Sequence, residues 1–208
     1  MIESTNQDKL NHHIVALIAQ QREKQETTPP TPAELSAAAE ALARLPLGMV
    51  PEHLFYARIW AFPAICSDAA LLRKTDGGVE VFLTYRKDYF FDGFHIPGSI
   101  LIAGDTLESL LAKVVAGEIG SAVQLSRIPG CIAQAEILPG NTETTCPRGQ
   151  VLAHLFGFWY EGGELPSKGR WFPVVDTIGY AKANNLPLIP GQQDEYAALA
   201  AFVSPLSS

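Results

Sequence analysis

The stretch FHIPGSILIAGDTLESLLAKVVAGEIG, residues 94–120, decides the fold of this chain. It begins with a Pro-Gly turn and a short apolar run, and then has Gly-Asp-Thr, which is typical of a helix start. The apolar spacing that follows predicts one helix of about three to four turns, closed by Gly120. A loop, a helix and a second loop in this order can form a phosphate-and-metal site. They can also simply connect two strands as a crossover.

Strand-like segments lie on both sides of this stretch. Before it, residues 59–65, 69–73 and 79–85 have strand character, and Asp76-Gly77-Gly78 predicts a hairpin turn between the last two. After it come four predicted strands and two predicted helices: 124–128, 131–138, 151–160 and 171–175, then a short helix after Asp176 and a final helix over 194–203. Strands with a single crossover helix predict an α/β or α+β sandwich, in which helices flank a mixed sheet.

Two more helices are predicted near the beginning of the chain. Apolar residues at helical spacing predict the first over 10–25. The second begins with Thr31 as N-cap, Pro32 at the first helical position and Glu34 completing a capping box. We therefore divide the chain into an N-terminal helical extension with a Pro-rich linker (1–45) and a main domain with the C-terminal helix (46–208). The extension is expected to pack on the main domain or on a second subunit of a homodimer.

Composition excludes some functions and allows others. The 208 residues carry a net charge of −7 and have no basic run, so binding to long nucleic acid is not expected. A small phosphorylated ligand needs only one or two cations, or a bound metal. The three cysteines, Cys66, Cys131 and Cys146, lack metal-ligand spacing and indicate reduced thiols in a cytoplasmic protein. No apolar run is long enough to span a membrane.

The central stretch also resembles the signature of the Nudix superfamily. Members have an α/β/α sandwich, and their loop-helix-loop usually binds Mg²⁺ and hydrolyses a nucleoside diphosphate linked to another group. The family pattern G-x5-E-x7-R-E-U-x-E-E-x-G-U, where U is a bulky aliphatic residue, aligns with residues 99–121 without a gap. The segments 94–98, 81–86, 154–158 and 171–173 resemble the family's lead-in and neighbouring strands. The resemblance covers residues 65–176.

Several positions depart from the family pattern. Asp105 is a shortened version of the first glutamate, and Glu118 keeps the last glutamate of the helix. The other departures are Ser99 at the first glycine, Lys113 at the arginine, Val114 and Gly117 at the remaining glutamates, and Ser121 at the final aliphatic residue. A metal at this helix would therefore meet one helix carboxylate instead of a cluster.

The resemblance implies roles for seven residues. Glu118 and Asp105 would be the catalytic residues and, if Mg²⁺ is bound, its ligands, because Mg²⁺ prefers carboxylate oxygens. The residues expected to bind the ligand are Arg86, His95, Gly98, Ser99 and Lys113. Structural roles are equally open: Asp105 can favour the helix start, and Glu118 can pair with a nearby cation, for which the candidates are Lys113, Arg86 and Lys87. Arg86 can likewise pair with Asp88 or Asp92.

Three functional hypotheses follow from these residues. The first is a Nudix-fold protein with a degraded metal site, which binds a nucleotide-like ligand or a partner with little or no hydrolysis. The second is a divergent Mg²⁺-dependent hydrolase that uses Asp105 and Glu118. The third is an assembly protein that dimerises through its N-terminal helices. The missing carboxylates at Val114 and Gly117 favour the first hypothesis.

Overall fold

The computed structural model describes residues 30–44, 62–88, 90–140 and 142–206. The chain divides into two compact units, and the sheet lies in the unit formed by residues 63–101 and 105–208. Helix α1 (Pro32–Ala43) belongs to the other unit. Its predicted capping box is confirmed, because the Thr31 hydroxyl accepts from the Glu34 amide and the Glu34 carboxylate accepts from the Thr31 amide. The helix predicted over 10–25 and the domain boundary predicted after residue 45 lie outside the described residues.

The described residues form one mixed sheet of eight strands. The strands are β1 Ala64–Thr75, β2 Gly78–Lys87, β3 Asp92–His95, β4 Gly98–Ile100, β5 Gln124–Arg127, β6 Ala133–Ile137, β7 Val151–Gly162 and β8 Gly169–Pro173. The main order is β3-β2-β1-β7-β5, while β4 pairs with β1, β6 with β7 and β8 with β2. Strands β1 and β7 run parallel, and the other pairs are antiparallel.

Helices cover both faces of this sheet. Helix α2 (Leu107–Val114) continues as a π-helical segment, Val115–Gly120, and Gly120 ends it with a φ of +116°. Helices α3 (Thr177–Ala183) and α4 (Gln193–Val203) follow the last strand, with 3₁₀ turns at Val174–Asp176 and Ser204–Leu206. The crossover helix is therefore present as predicted, but its second half is wound more loosely than an α-helix.

The alternation of side chains along β1 produces three layers. Ala69 and Leu71 face one side and pack in a cluster with Leu111 of α2. Ala70 and Leu72 face the other side and pack in a cluster that includes Leu199 of α4. Successive residues of a strand point to opposite faces, so both faces of this strand are buried and each needs a helical layer. The predicted α/β/α sandwich is confirmed.

Two details of the strand prediction are wrong. The sequence predicts separate strands at 59–65 and 69–73, whereas β1 is one strand of 12 residues from Ala64 to Thr75. The polar residues Ser67 and Asp68 that suggest a break are buried inside it. Strands β3 and β4 lie on either side of Pro97, where the sequence predicts no strand. They have only four and three residues, too few to show a periodic pattern.

Gly98 allows β4 to lie directly against the Asp68 side chain. The two residues are partners in the β1–β4 ladder. A Cβ atom on Gly98 would lie 1.6 Å from Asp68 Oδ1, far inside van der Waals contact. The carboxyl group is buried and cannot swing into solvent. Only glycine fits this position without moving β4 or Asp68.

We predict that Gly98→Ala lowers the free energy of unfolding by about 1–3 kcal/mol, the usual cost of overpacking a filled site. Gly77→Ala is the matched control, because its Cβ atom would meet only the Thr75 hydroxyl, at an ordinary 3.7 Å. Urea denaturation of both variants measures the difference. Equal stability of the two variants would show that the Gly98–Asp68 contact does not constrain the fold.

Candidate functional site

Glu118 is at the centre of a small hydrogen-bonded group. Its Oε2 atom accepts a hydrogen bond from the Thr84 hydroxyl at 3.3 Å and lies 3.3 Å from His95 Nε2. Thr84 Oγ1 and His95 Nε2 are 3.2 Å apart. Because the single hydroxyl proton of Thr84 goes to Glu118, His95 Nε2 must carry a proton to bond either oxygen. The group therefore ties the π-helical segment to β2 and β3.

The surroundings keep Glu118 ionised. Burial raises the pKa of its carboxyl. The hydrogen bond and charge of His95 and the charges of Arg86 and Lys168 lower this pKa by more than burial raises it, so the net pKa lies below the usual value. The Glu118 side chain is 27% exposed, whereas that of His95 is 5% exposed. A negative charge is thus held at a partly open position, with three groups that can carry positive charge around it.

The cations expected to pair with Glu118 have other partners. Lys113 binds Asp105, Arg86 pairs with Asp88 at 2.6 Å, and Lys87 pairs with Asp92 at 2.8 Å. None of these three candidates forms an ion pair with Glu118 among the described residues, and His95 and Thr84 contact it instead. The charge of Arg86 still lowers the pKa of Glu118, after the larger effects of burial and His95. The pairing of Arg86 with Asp88, one of the two alternatives, is confirmed.

Asp105 contacts two residues of helix α2. Its carboxylate binds Lys113 and accepts from the Ser109 hydroxyl at 3.5 Å. The N-cap of α2 is Thr106, whose hydroxyl accepts from the Ser109 amide. Asp105 is thus linked to the first turns of the helix through Lys113 and Ser109, while its proposed catalytic and metal roles stay predictions.

Several backbone groups in and beside the Pro-Gly turn are hydrogen-bonded to other parts of the protein. The amide of Ile96 donates to the Gln192 side chain at 2.8 Å, and the amide of Phe94 donates to the Pro187 carbonyl. Gly98 and Ser99 are paired with β1. A role for Gly98 and Ser99 in binding a ligand stays a prediction.

A buried carboxyl pair lies behind this turn, and sequence reasoning missed it. Asp68 of β1 and Glu195 of α4 are 5% and 1% exposed. No described donor makes a hydrogen bond of good geometry to either Glu195 oxygen, whereas Asp68 Oδ1 accepts from the Cys66 thiol at 3.2 Å. The only sequence signals are acidic residues in an otherwise apolar strand and in an Ala-rich helix.

Burial raises the pKa of both carboxyl groups. Burial raises the pKa of Glu195 well above its usual value, and the charge and hydrogen bonding of Asp68 raise it further. Burial also raises the pKa of Asp68, although its hydrogen bonds with Glu195 and Cys66 oppose that rise. Two carboxylates at one buried site cannot both ionise cheaply, and the raised pKa of Glu195 favours its protonated form.

The side chains present do not fit the magnesium site that the family resemblance implies. Val114 is 2% exposed in the apolar core, and Gly117 has no side chain to offer. The Oε2 atom of Glu118 is already in contact with Thr84 and His95. Mg²⁺ prefers oxygen ligands, so the neighbouring His95 nitrogen does not replace a missing carboxylate. Among the described residues, no group of three or more His, Cys, Asp or Glu side chains is arranged to hold a metal ion.

An apolar cavity opens beside helix α3. Its volume is about 530 Å³, and its walls include Phe90, Pro147, Leu188 and Lys182. Cavities of roughly 300–1,000 Å³ that are lined mainly by apolar side chains with a few polar groups are typical small-molecule sites. The cavity can receive the organic part of a ligand.

Comparison with known proteins identifies the fold. No protein-family model matches the chain, and no curated protein sequence matches it. A possible asymmetric diadenosine tetraphosphate hydrolase from Jonesia denitrificans superposes with a TM-score of 0.55 at 15% identity, covering 71% of this chain and 98% of that one. The C. elegans Ap4A hydrolase gives 0.50 at 13% identity, covering 70% and 99%. The chain therefore has the Nudix fold.

None of the helices in the described part of the chain is both long enough and apolar enough to cross a membrane.

The three cysteines are free thiols in the structure. Burial raises the pKa of Cys66 well above its usual value, and the neighbouring Asp68 raises it further. This thiol therefore stays protonated and unreactive.

We predict that the Asp68–Glu195 pair makes the protein less stable as the pH rises. The folded state keeps a proton that the unfolded chain releases above a pH of about 4.3, so the free energy of unfolding falls with increasing pH, by up to roughly 1.4 kcal/mol per pH unit. Glu195→Gln should flatten this slope and stabilise the protein at neutral pH. Urea denaturation between pH 5 and 8 measures it, with the exposed Glu164→Gln as control. An unchanged slope in Glu195→Gln would contradict a raised pKa at Glu195.

Proposed function

We propose that this chain is a Nudix-fold protein that binds a small phosphorylated, nucleotide-like ligand with little or no hydrolysis. The observation that carries the proposal is the engagement of Glu118 by Thr84 and His95. The carboxylate that the family resemblance assigns to metal binding instead connects the helix to the sheet. The neighbouring positions Val114 and Gly117 supply no replacement.

The charges around Glu118 support an anionic ligand. Arg86 and Lys168 lie close enough to lower the pKa of this carboxyl against the opposing effect of burial, and His95 adds a polar N–H. A phosphate group entering here would meet the positive charges of Arg86 and Lys168. The cavity beside Phe90 offers an apolar surface for a base or another organic group.

The superposed structures support the class of ligand. Two of them carry the names of enzymes that act on diadenosine tetraphosphate, a molecule of two nucleosides joined by a phosphate chain. We extend this class of ligand to the present chain as a proposal. We also propose a cytoplasmic location, which fits three unpaired cysteines.

A divergent hydrolase is the alternative. Glu118 is partly exposed and ionised, as a metal ligand would be. In that case Asp105 would have to leave Lys113 and join Glu118 at one ion.

Dimerisation through the N-terminal helices is a separate proposal, and light scattering of a chain that begins at Pro46 tests it.

We expect diadenosine tetraphosphate to bind saturably in isothermal titration calorimetry, with EDTA present. With Mg²⁺ or Mn²⁺ added, product release should stay far below the rates of about 1–1,000 s⁻¹ that are usual for enzymes. Titration with Mn²⁺ alone should give the same weak, unsaturated heats for the wild type and for Glu118→Gln. Glutamine keeps the shape of the side chain and removes its charge.

Two results would overturn the proposal. Turnover at ordinary enzyme rates would favour the hydrolase, above all if saturable Mn²⁺ binding disappeared in Glu118→Gln. If neither diadenosine tetraphosphate nor ADP bound, in EDTA or with Mg²⁺ or Mn²⁺ added, the proposal of a nucleotide-like ligand would be wrong. Thermal unfolding of Glu118→Gln ensures that a lost signal does not come from a lost fold.

A further inference from the structure

Arg86 and Arg148 lie against the same aromatic ring. The Cζ atom of Arg148 is 4.8 Å from the centroid of the Phe91 ring, and that of Arg86 is 5.2 Å from it. Both distances are within the range of a cation–π contact. Phe91 is 4% exposed and belongs to a buried apolar cluster. Two positive charges therefore share one fixed platform just before the edge strand β3.

Only one of these two charges is neutralised. Arg86 pairs with Asp88. Arg148 forms no ion pair with an acidic side chain anywhere in the described residues, and its buried Nε atom has no hydrogen-bond partner among them. Leaving a buried donor unsatisfied costs about 1–3 kcal/mol, and more when the group is charged. Arg148 therefore carries a positive charge that no acidic side chain among the described residues balances.

The backbone around Arg148 is held on both sides. Cys146 is buried in the same apolar cluster as Phe91, and its amide donates to the Leu138 carbonyl at 2.9 Å. On the other side, the Gln150 carbonyl accepts from the Ala64 amide at 2.9 Å, at the start of β1. The guanidinium group is thus presented by a fixed segment, which reduces the entropy lost when it binds a ligand.

Electrostatic effects connect the Phe91 platform with the Glu118 group. Burial raises the pKa of Glu118, but the charge of Arg86 is among the effects that bring it below the usual value. Burial likewise raises the pKa of Cys66, and the charge of Arg148 opposes that rise. Cys66 lies two residues before Asp68 on β1. The geometry agrees: Arg86 lies two residues after Thr84 on β2, on the same face of the strand, and Arg148 shares the Phe91 ring with Arg86.

Resting on the proposed function, we propose that Arg148 binds the phosphate of the ligand and, with Arg86 across Phe91, supplies the positive charge that a magnesium ion would supply. A guanidinium group presents paired N–H donors that match phosphate oxygens. Phe90 and Pro147, the chain neighbours of Phe91 and Arg148, line the 530 Å³ cavity. The phosphate would lie on the arginines while the organic group enters this cavity.

The test uses inorganic pyrophosphate as the probe and isothermal titration calorimetry in EDTA. We expect saturable binding to the wild type without metal. Arg148→Ala should weaken it about tenfold or more, the loss expected for hydrogen bonds to a charged group. Arg148→Lys should give an intermediate affinity, since it keeps the charge but not the planar fork. Arg127→Ala should bind like the wild type. It is the matched control because Arg127 also lies over a ring, 5.4 Å from the centroid of Phe156.

Three outcomes would overturn the inference. Wild-type affinity in Arg148→Ala is one, and binding that appears only after Mg²⁺ is added is another. In both cases the proposed function still stands if diadenosine tetraphosphate binds the wild type. If the wild type binds neither compound, both the inference and the proposed function fail. Should Arg148→Ala not fold by circular dichroism, the loss of affinity in Arg148→Lys decides the question.

Discussion

The hydrogen-bonded contact of Glu118 with Thr84 and His95 is the interaction on which the candidate site depends. It joins residues that are 34 positions apart in the chain, and it brings the π-helical segment against β2 and β3. The helix is wound more loosely at the point where the Glu118 carboxylate contacts Thr84 and His95 of the sheet. π-Helical segments often occur at functional sites, where they place a side chain that regular α-helical geometry would direct elsewhere.

Positive and negative groups are distributed unevenly around this contact. Asp105 is matched with Lys113, Arg86 with Asp88 and the Glu118 carboxylate with His95 and Thr84. Behind them, Asp68 and Glu195 reduce their joint charge by keeping a proton. The acidic groups of the region are therefore paired, hydrogen-bonded or neutral, whereas Arg148 has no acidic partner among the described residues. A site with this balance favours an anion over a divalent cation.

Much of the fold was predictable from the sequence because it depends on local signals. The Asp76-Gly77-Gly78 turn joins β1 and β2 as expected, and Gly120 ends the crossover helix at a positive φ. The site was less predictable, because its contacts join residues that are far apart in the sequence. The Ile96 amide meets a side chain 96 residues away, at Gln192. No local sequence pattern indicates the partners of Glu118 or the burial of Glu195. Asp68 was not expected to be buried, because the polar residues around it suggest a break in what is one continuous strand, β1.

We propose that Glu118 serves the protein's own hydrogen bonds and holds no metal. Anomalous diffraction at the manganese absorption edge, from crystals grown with Mn²⁺ and ADP, tests it most directly, because Mn²⁺ occupies magnesium sites and is located by its own signal. We predict no anomalous peak within coordination distance of the Glu118 carboxylate, with His95 and Thr84 still in contact with it. A peak bonded to Glu118, with Asp105 turned away from Lys113 to join it, would contradict this account.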